Sequence, residues 1–281
     1  MKQIKLDWSE VELIIENALQ EDIGTGDITT EALFPENTKC KAIIIAKEDG
    51  VVAGLPVAER VFRKLDKNIL WNEKKRESEP VKPKDILAEI EGSTRAILTG
   101  ERVALNFLQR LSGIATLTSK FVKAVQGLPV KILDTRKTAP GLRILDKYAV
   151  SIGGGYNHRF GLYDGILIKD NHIKLAGGIT HAVKLLRQEV KSESKIEVET
   201  STLVEVKEAI ETGVDIIMLD NMPTEIMLET VKLINGKALT EASGGINLQN
   251  VRKVAETGVD FISIGALTHS PRALDIGLYM L

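Results

Sequence analysis

The sequence predicts an α/β protein with a separate N-terminal α/β domain, residues 1–100, and an incomplete (β/α) barrel, residues 101–270. Six short β-branched segments alternate with helical ones between residues 130 and 265, which is typical of parallel strands. Polar residues or glycines end four of these strands at intervals of 21, 23 and 22 residues, as on the active face of a barrel. Six strands are fewer than the roughly eight of a closed barrel. No G-x-G-x-x-G follows the first strand, which argues against a doubly wound sheet.

The composition is that of an ordinary globular protein and excludes several classes. The chain has 281 residues and a net charge of −2, and its 37 Lys and Arg are balanced by 39 Asp and Glu, so we expect no nucleic-acid partner. Apolar runs such as Ala42–Ala46 are too short to span a membrane, and residues 1–22 lack the features of a secretion signal. A single cysteine, Cys40, excludes an intramolecular disulfide and is typical of a reducing compartment, so we expect a cytoplasmic protein.

The N-terminal domain is predicted to begin with a helix. Apolar residues recur at helical spacing from Trp8 to Ala18, and Ser9 with Glu12 forms the pattern of a capping box. The glycine-containing segment 22–30 is predicted to end this helix in a structured loop.

The next elements are predicted from their apolar patterns. Residues 41–46 and 50–54 are expected to form strands, followed by a helix that runs through Arg63. The charged segment 72–85 is interpreted as a surface connection or a short edge segment, and residues 102–125 as a long helix.

A repeated sequence supports the barrel. ETGVD occurs at residues 211–215 and again at 256–260, 45 positions later. Gly213 and Gly258 suit the cap that follows a helix, and each repeat leads into a strand. The predicted barrel strands lie within VKILD, GILIKD, KIEVET, VDIIMLD, KALTEAS and VDFISIG.

Basic residues cluster after the first barrel strands. Residues 131–174 hold eight Lys or Arg against four acids, and the strand ends contribute Thr135, Arg136, Lys137, His158, Arg159 and Lys169. Cations gathered in a concave site repel one another, so the pattern favours an anionic ligand. The guanidinium of arginine suits carboxylates, and lysine suits phosphates. Each residue taken alone could also be a surface charge, and His158 could either pack or contact a ligand.

Two glycine-rich strand ends indicate a phosphate site. They are formed by Ser243, Gly244 and Gly245, and by Ser263, Ile264 and Gly265. Loops after the last strands of such barrels often bind phosphate with the N-terminus of a short helix. Ser270-Pro271 is predicted to start that helix, which would occupy residues 271–281 and pack back on the N-terminal domain. The alternative is that these glycines only make tight turns.

Two acidic strand ends, Glu199 and Asp220, are predicted to lie at the same height on neighbouring strands. Carboxylates beside a phosphate suit Mg²⁺, although they could equally bind sugar hydroxyls. Asp220 could instead cap the following helix, whereas residues 200–202 offer better caps after Glu199. Nucleotide P-loop, zinc-protease and esterase motifs are absent from the sequence. A site for a phosphorylated molecule and a polyanionic one, with Mg²⁺, favours group transfer over hydrolysis or redox chemistry.

Several long stretches resemble the quinolinate phosphoribosyltransferase family along essentially the whole chain. They are ALQEDIGTGDITT, TGERVALNFLQRLSGIAT, DTRKTAPGLR, GGGYNHRFGLYDGILIKDNH, VET, MLDNM, EASGGI and SIGALTHS. The resemblance implies an N-terminal α/β sandwich, an incomplete barrel, and a homodimer or a multiple of it. It also implies a decarboxylating reaction of quinolinate with phosphoribosyl pyrophosphate and Mg²⁺, which yields nicotinate mononucleotide, pyrophosphate and CO₂.

The resemblance further implies residue roles. Arg136, His158 and Arg159, with Lys137, Lys169 and the neighbouring Thr135, would face quinolinate, and Arg102 would reach the partner subunit's site. Glu199 and Asp220 would hold Mg²⁺ and the ribose, and would form the catalytic group together with Lys137 and Lys169. The 5′-phosphate would contact Ser243, Gly244, Gly245, Ser263, Ile264, Gly265 and His269.

Two alternatives remain open at this point. A same-fold phosphoribosyltransferase could use another acceptor such as nicotinate, although four cations and a histidine favour an acceptor with two carboxylates. A non-catalytic module that binds a sugar phosphate is the second alternative, and the intact pair Glu199 and Asp220 argues against it.

Overall fold

The computed structural model describes residues 5–190 and 194–281, so Met1–Ile4 of the predicted N-terminal domain lie outside the described residues. The chain divides into two compact units. The sheet unit consists of residues 5–119, 138–154 and 267–281, and the barrel unit of residues 120–137 and 155–266 apart from 191–193. Segments of the two units alternate along the chain. The predicted domain boundary between residues 100 and 101 stays a prediction. Within the described residues, no helix combines the length and apolar composition that a membrane span requires.

The sheet unit contains a four-stranded antiparallel sheet among its described residues, and this confirms the predicted N-terminal α/β fold. The described strands of the whole unit are β1 (Lys39–Ala46), β2 (Gly50–Val51), β3 (Leu70–Glu73), β4 (Pro80–Val81), β5 (Ile86–Ser93) and β12 (Ile276–Met280). The sheet order is β12-β1-β5-β3, and β2 pairs separately with β4. Ala42, Ile44 and Ala46 of β1 are fully buried at alternate positions, because one face of the sheet packs on the core.

The helices of the sheet unit include the long helix predicted from the sequence. They are α1 (Trp8–Ile23), α2 (Ile28–Leu33), α3 (Leu55–Leu65), α4 (Thr94–Ala124), α5 (Arg143–Ile152) and the short α11 (Ala266–His269). The last residues of α4 and the first residue of α11 belong to the barrel unit. The capping box predicted at Ser9 is wrong. Asp7 caps α1 instead, because its Oδ1 accepts hydrogen bonds from the main-chain N and the Oγ of Ser9.

The terminal helix predicted over residues 271–281 is also wrong. Residues Ile276–Met280 form β12, which pairs antiparallel with β1 from Ala42 to Ala46. The Ser270-Pro271 pair is a local helix-start signal, but β1 would otherwise present an unpaired edge, and covering that edge outweighs the local signal.

The barrel unit is an open sheet of six parallel strands within the described residues, as predicted. The strands are β6 (Lys131–Leu133), β7 (Ile166–Ile168), β8 (Ile196–Thr200), β9 (Ile216–Asp220), β10 (Leu239–Ser243) and β11 (Phe261–Ser263). Their order, β6-β11-β10-β9-β8-β7, leaves β6 and β7 at the two edges, so the barrel is incomplete.

Helices alternate with these strands. They are α6 (Asp170–Ala176), α7 (Ile179–Glu189), α8 (Leu203–Thr212), α9 (Thr224–Ile234) and α10 (Val251–Glu256). Thr202 and Glu205 form a capping box at the start of α8, so Glu199 is not a cap. Asp220 is not a cap either, because α9 starts at Thr224 after Pro223.

The aspartates of the repeated ETGVD sequence fix the starts of the strands. Asp215 Oδ2 accepts a hydrogen bond of 2.8 Å from the main-chain N of Ile196. Asp260 Oδ2 accepts bonds of 2.8 Å from both the main-chain N and the Oγ1 of Thr240. Each aspartate precedes one strand and holds the start of the neighbouring strand.

A short segment lies beside edge strand β6. Tyr156 bridges Leu133 in parallel, its N donates to Ile132 O at 2.8 Å, and its O accepts from Asp134 N at 3.1 Å. This segment continues the wall of the barrel past the last hydrogen-bonded strand.

Candidate active site

A cavity of about 400 Å³ opens at the carboxyl ends of the barrel strands. It brings together residues that are far apart in the sequence. The predicted residues that line it are Thr135, Arg136, Lys137, His158, Arg159, Lys169, Glu199, Asp220, Ser243, Gly244, Gly245 and Ser263.

Four predicted residues are not among the described residues that line this cavity. Arg102 is an exposed residue of α4, and His269 is exposed at the end of α11, where its Nδ1 lies 2.6 Å from Ser270 Oγ. Ile264 is buried, and its N–H donates to Leu133 O at 2.9 Å, so the sheet already uses this amide. Gly265 follows it in the chain.

Strand alternation explains which side chains face the cavity. Successive side chains of a strand point to opposite faces, so every second residue faces the same way. On β9, Met218 and Asp220 line the cavity, and on β10, Glu241 and Ser243 do so. The intervening Leu219 is fully buried in the core.

The sequence reasoning missed several residues of the site. Leu167, Met218, Asn221 and Glu241 also line the cavity. For Leu167, Met218 and Glu241 the missed signal is the two-residue period, because each lies two positions before a strand-end residue that was predicted. Asn221 instead follows Asp220 directly.

The basic side chains that line the cavity are called the basic wall here, and they are Arg136, Lys137, His158, Arg159 and Lys169. Two of them are neighbouring guanidinium groups. Burial lowers the pKa of Arg159, and the positive charge of Arg136 lowers it further. Arg159 Nη1 donates to Gly165 O at 3.0 Å, which ties the side chain to the residue before β7. The repulsion between these cations makes the wall a favourable place for a bound anion.

His158 is buried and lies above two buried glutamates. Its Nε2 lies 3.1 Å from Glu197 Oε2 and 3.6 Å from Glu241 Oε1. Burial raises the pKa of Glu241 to about 8, and the charge of Glu197 adds to this increase, whereas His158 and Ser263 lower it. Glu241, which lines the cavity, therefore holds a proton more readily than an ordinary glutamate does.

The acidic pair Glu199 and Asp220 is staggered rather than level. Glu199 is in register with Met218, so Asp220 lies two residues further along its strand, and the predicted equal height is wrong. Burial raises the pKa of Glu199 and the charge of Asp220 raises it further, whereas Lys169 lowers it. Asn221 Nδ2 donates to Asp220 Oδ2 at 2.7 Å and orients that carboxylate. Two repelling carboxylates with oxygen donors fit a hard divalent cation such as Mg²⁺.

The end of β10 forms a concave turn of main-chain amides. Gly244 and Gly245 both have positive φ angles, of 91° and 62°. A Cβ atom on Gly244 would lie 2.1 Å from Asn221 Oδ1, so only glycine fits there. Successive N–H groups in such turns form anion-binding concavities, which suits a phosphate.

Comparison with known proteins shows to which family the chain is related. Models of the N-terminal and C-terminal domains of quinolinate phosphoribosyl transferase match residues 27–112 and 114–279. A probable nicotinate-nucleotide pyrophosphorylase (carboxylating) from Bacillus subtilis is 46% identical over 269 residues, which cover 96% of this chain and 93% of the relative.

Solved structures show the same fold over the whole chain. NadC from Streptococcus pyogenes superposes with a TM-score of 0.94 at 41% identity, and 99% of each chain is covered. The nicotinate-nucleotide pyrophosphorylase from Ehrlichia chaffeensis has a TM-score of 0.94 at 44% identity and covers 99% of this chain and 100% of its own. With both domain models matched in order and relatives covered almost end to end, the chain belongs to the quinolinate phosphoribosyltransferase family.

Proposed function

We propose that the cavity of the barrel unit is the active site in which this chain joins quinolinate to the phosphoribosyl group. The chain is a pentosyltransferase of NAD biosynthesis that releases pyrophosphate and CO₂ and forms nicotinate mononucleotide. What remains to be assigned is how its own residues divide this task.

The acceptor end is proposed to be the basic wall. Arg136 and Arg159 supply planar donors for the two carboxylates of quinolinate, and Lys137 and Lys169 supply point charges. Leu167 and Met218 give the same cavity an apolar surface, which suits the flat pyridine ring. The observation that carries this assignment is the pair of neighbouring guanidiniums beside an apolar surface in one cavity.

The donor end is proposed to lie at β10 and β11. The amides of Gly244 and Gly245 and the side chains of Ser243 and Ser263 would bind the 5′-phosphate. The family resemblance adds Ile264, Gly265 and His269 to this end. The main-chain N–H of Ile264 already donates to Leu133 O, so this amide would not bind the phosphate.

Glu199 and Asp220 would hold Mg²⁺, partly through water or substrate oxygens. When bound, the ion supplies positive charge that stabilises the departing pyrophosphate. Lys137 and Lys169 add positive charge on the same side, and Glu199 or Asp220 can stabilise the positive charge that develops on the ribose.

Decarboxylation then requires no organic cofactor. Once the ring nitrogen is bonded to ribose it is cationic, and it stabilises the electron pair left on the adjacent carbon when CO₂ departs. A proton then replaces the lost carboxylate at that carbon.

The test is an assay of the purified protein with quinolinate, phosphoribosyl pyrophosphate and Mg²⁺ that follows CO₂ and nicotinate mononucleotide together. Equal amounts of both products, abolished by a chelator, are expected. Nicotinate serves as the alternative acceptor in a parallel reaction. Turnover of nicotinate without turnover of quinolinate would overturn the assignment of the basic wall.

We further propose a homodimer, or a multiple of it, in which Arg102 enters the partner subunit's site. The exposed position of Arg102 on α4 supports this, because the side chain is accessible to a second copy. Light scattering of the purified protein gives the oligomeric state directly.

Subunit mixing tests the role of Arg102. Arg102→Ala and Lys169→Ala each disable every site of their own homodimer. Random mixing of the two should restore about a quarter of wild-type activity, since a mixed dimer carries one intact site. No recovery on mixing would place Arg102 outside the partner's site.

A cytoplasmic location is part of the same proposal. It is supported by the single cysteine, Cys40, which is typical of a reducing compartment. Cell fractionation with an antibody against the chain would test it.

A further inference from the structure

Two buried acids from different strands converge on the segment Asn157–Arg159, which contributes two side chains to the basic wall. Asp134, at the end of β6, is fully buried. Its Oδ2 accepts a hydrogen bond of 2.6 Å from Asn157 Nδ2, and its Oδ1 accepts one of 2.9 Å from the main-chain N of His158. Glu197 of β8 lies on the other side, with Oε2 3.1 Å from His158 Nε2.

This segment needs such support because of where it lies. It follows Tyr156, whose bridge to Leu133 is isolated and belongs to none of the strands in the described part of the chain. Without a continuous ladder, main-chain pairing alone does not set the direction of the next residues. Side-chain acceptors therefore determine how His158 and Arg159 enter the cavity.

The ring of His158 is held in one protonation pattern. Its Nδ1 accepts a hydrogen bond of 2.8 Å from the main-chain N of Arg159, so that nitrogen carries no proton. The proton is then on Nε2, which faces Glu197. The hydrogen bond from Arg159 N therefore fixes the orientation of the His158 ring relative to the main chain of Arg159.

The same geometry argues against a metal ion in this cluster. Ligand atoms of His158, Glu197 and Glu241 lie within 4.8 Å of one another and could surround a cation. However, a ligating nitrogen must be unprotonated, and the Arg159 bond leaves the proton on Nε2. In this cluster His158 Nε2 therefore carries a proton and is not available to bind a metal ion.

We propose that Asp134 and Glu197 are positioning residues for the acceptor, because they fix the segment that carries His158 and Arg159. This inference rests on the proposed function, in which that segment binds quinolinate. Neither acid needs to touch the substrate, and both act through the residues they hold.

A reciprocal exchange tests the role of Asp134. In Asp134→Asn an amide NH₂ replaces one acceptor oxygen and faces the donor of Asn157 or His158. The KM for quinolinate should rise about ten- to hundredfold, whereas the KM for phosphoribosyl pyrophosphate should stay within about twofold. The double variant Asp134→Asn/Asn157→Asp restores a donor opposite each acceptor. It should reverse most of the increase in the KM for quinolinate.

A matched control comes from the opposite end of the barrel. Asp260 also accepts two hydrogen bonds, both from Thr240, but it lies at the strand starts. Asp260→Asn should lower the Tm without separating the two KM values. Comparable changes of both KM values in Asp134→Asn, or no recovery in a folded double variant, would overturn the proposal.

Glu197→Gln provides a second route if Asp134 variants fold poorly. Selective ¹⁵N labelling of histidine should show His158 as the neutral form protonated on Nε2 in the wild-type protein. In Glu197→Gln this preference should weaken while the KM for quinolinate rises by about tenfold. A wild-type His158 protonated on Nδ1 would overturn the proposal.

These outcomes are distinct from failure of the proposed function. If the wild-type chain does not use quinolinate at all, the acceptor assignment fails. If it does, and the variants leave the quinolinate KM unchanged, only the positioning proposal fails.

Discussion

The two ends of the barrel strands use the same chemical groups in opposite ways. At the amino ends, Asp215 and Asp260 each accept hydrogen bonds from the start of a neighbouring strand. At the carboxyl ends, Glu199 and Asp220 face a cavity and each other, and the pKa of Glu199 is raised by burial and by Asp220.

The difference shows what makes a carboxylate structural or functional in this fold. A carboxylate whose oxygens are bonded to main-chain N–H groups is satisfied and stabilises the fold. Carboxylates placed beside one another repel, and a bound cation relieves that repulsion. Substitutions at the two ends should therefore separate stability from activity.

Removal of a carboxyl-end carboxylate should have the largest effect. Glu199→Gln keeps the size of the side chain but removes the charge proposed to hold Mg²⁺ and stabilise the ribose. We expect kcat/KM to fall by about 10²–10³, with little change in Tm. An unchanged kcat/KM at saturating Mg²⁺ would assign Glu199 to the structural class of Asp215.

Removal of one guanidinium should have a smaller and more selective effect. Arg136→Ala removes charge-assisted hydrogen bonds to a carboxylate, so the Kd for quinolinate should rise about ten- to hundredfold. Binding of phosphoribosyl pyrophosphate should change far less. Calorimetric titration of each substrate measures both, and equal losses would contradict the assignment.

Loss of an amino-end carboxylate should reverse this pattern. Asp260→Ala leaves the amide of Thr240 without its acceptor, which costs about 1–3 kcal/mol. In a chain of this size each kcal/mol lowers the Tm by about 2–4 °C. Thermal denaturation measures the loss, and the activity of the folded enzyme should stay within about twofold. A large loss of kcat without a loss of Tm would break the distinction between the two ends.

The smallest effect is expected in the pH dependence of stability. The pKa of Glu241 in the folded state, about 8, lies above that of an exposed glutamate, so the folded protein holds this proton more tightly. Its contribution is fully present below the ordinary glutamate range and is lost as the pH rises through about 8. Wild-type Tm should therefore fall more between pH 6 and about 8.5 than the Tm of Glu241→Gln. Parallel curves for the two proteins would show that Glu241 is already ionised in the fold.

The barrel was predictable because its signals are local. Six β-branched segments and the repeated ETGVD sequence mark the strands, and residues at the strand ends do line one cavity. The position of Glu197 could also have been predicted from the sequence. It lies two positions before Glu199 in KIEVET, so both side chains are on the same face of the strand.

The remaining features depend on contacts that are distant in the sequence. The pairing of β12 with β1 joins residues 276–280 to residues 42–46, and a Ser-Pro pair cannot signal it. The bond from Ile264 N to Leu133 O likewise depends on the adjacency of β11 and β6. The role of Arg102 involves a second copy of the chain, so a pattern within one copy cannot establish it.

The gap between edge strands β6 and β7 determines how densely the cavity wall can be charged. A strand turns only every second residue inward, which spaces inward side chains about 7 Å apart. Two irregular segments beside β6 instead place consecutive residues on the cavity, Thr135 to Lys137 after the strand and His158 with Arg159 after the Tyr156 bridge. The opening in the barrel therefore lets neighbouring residues, Arg136 with Lys137 and His158 with Arg159, line one cavity together.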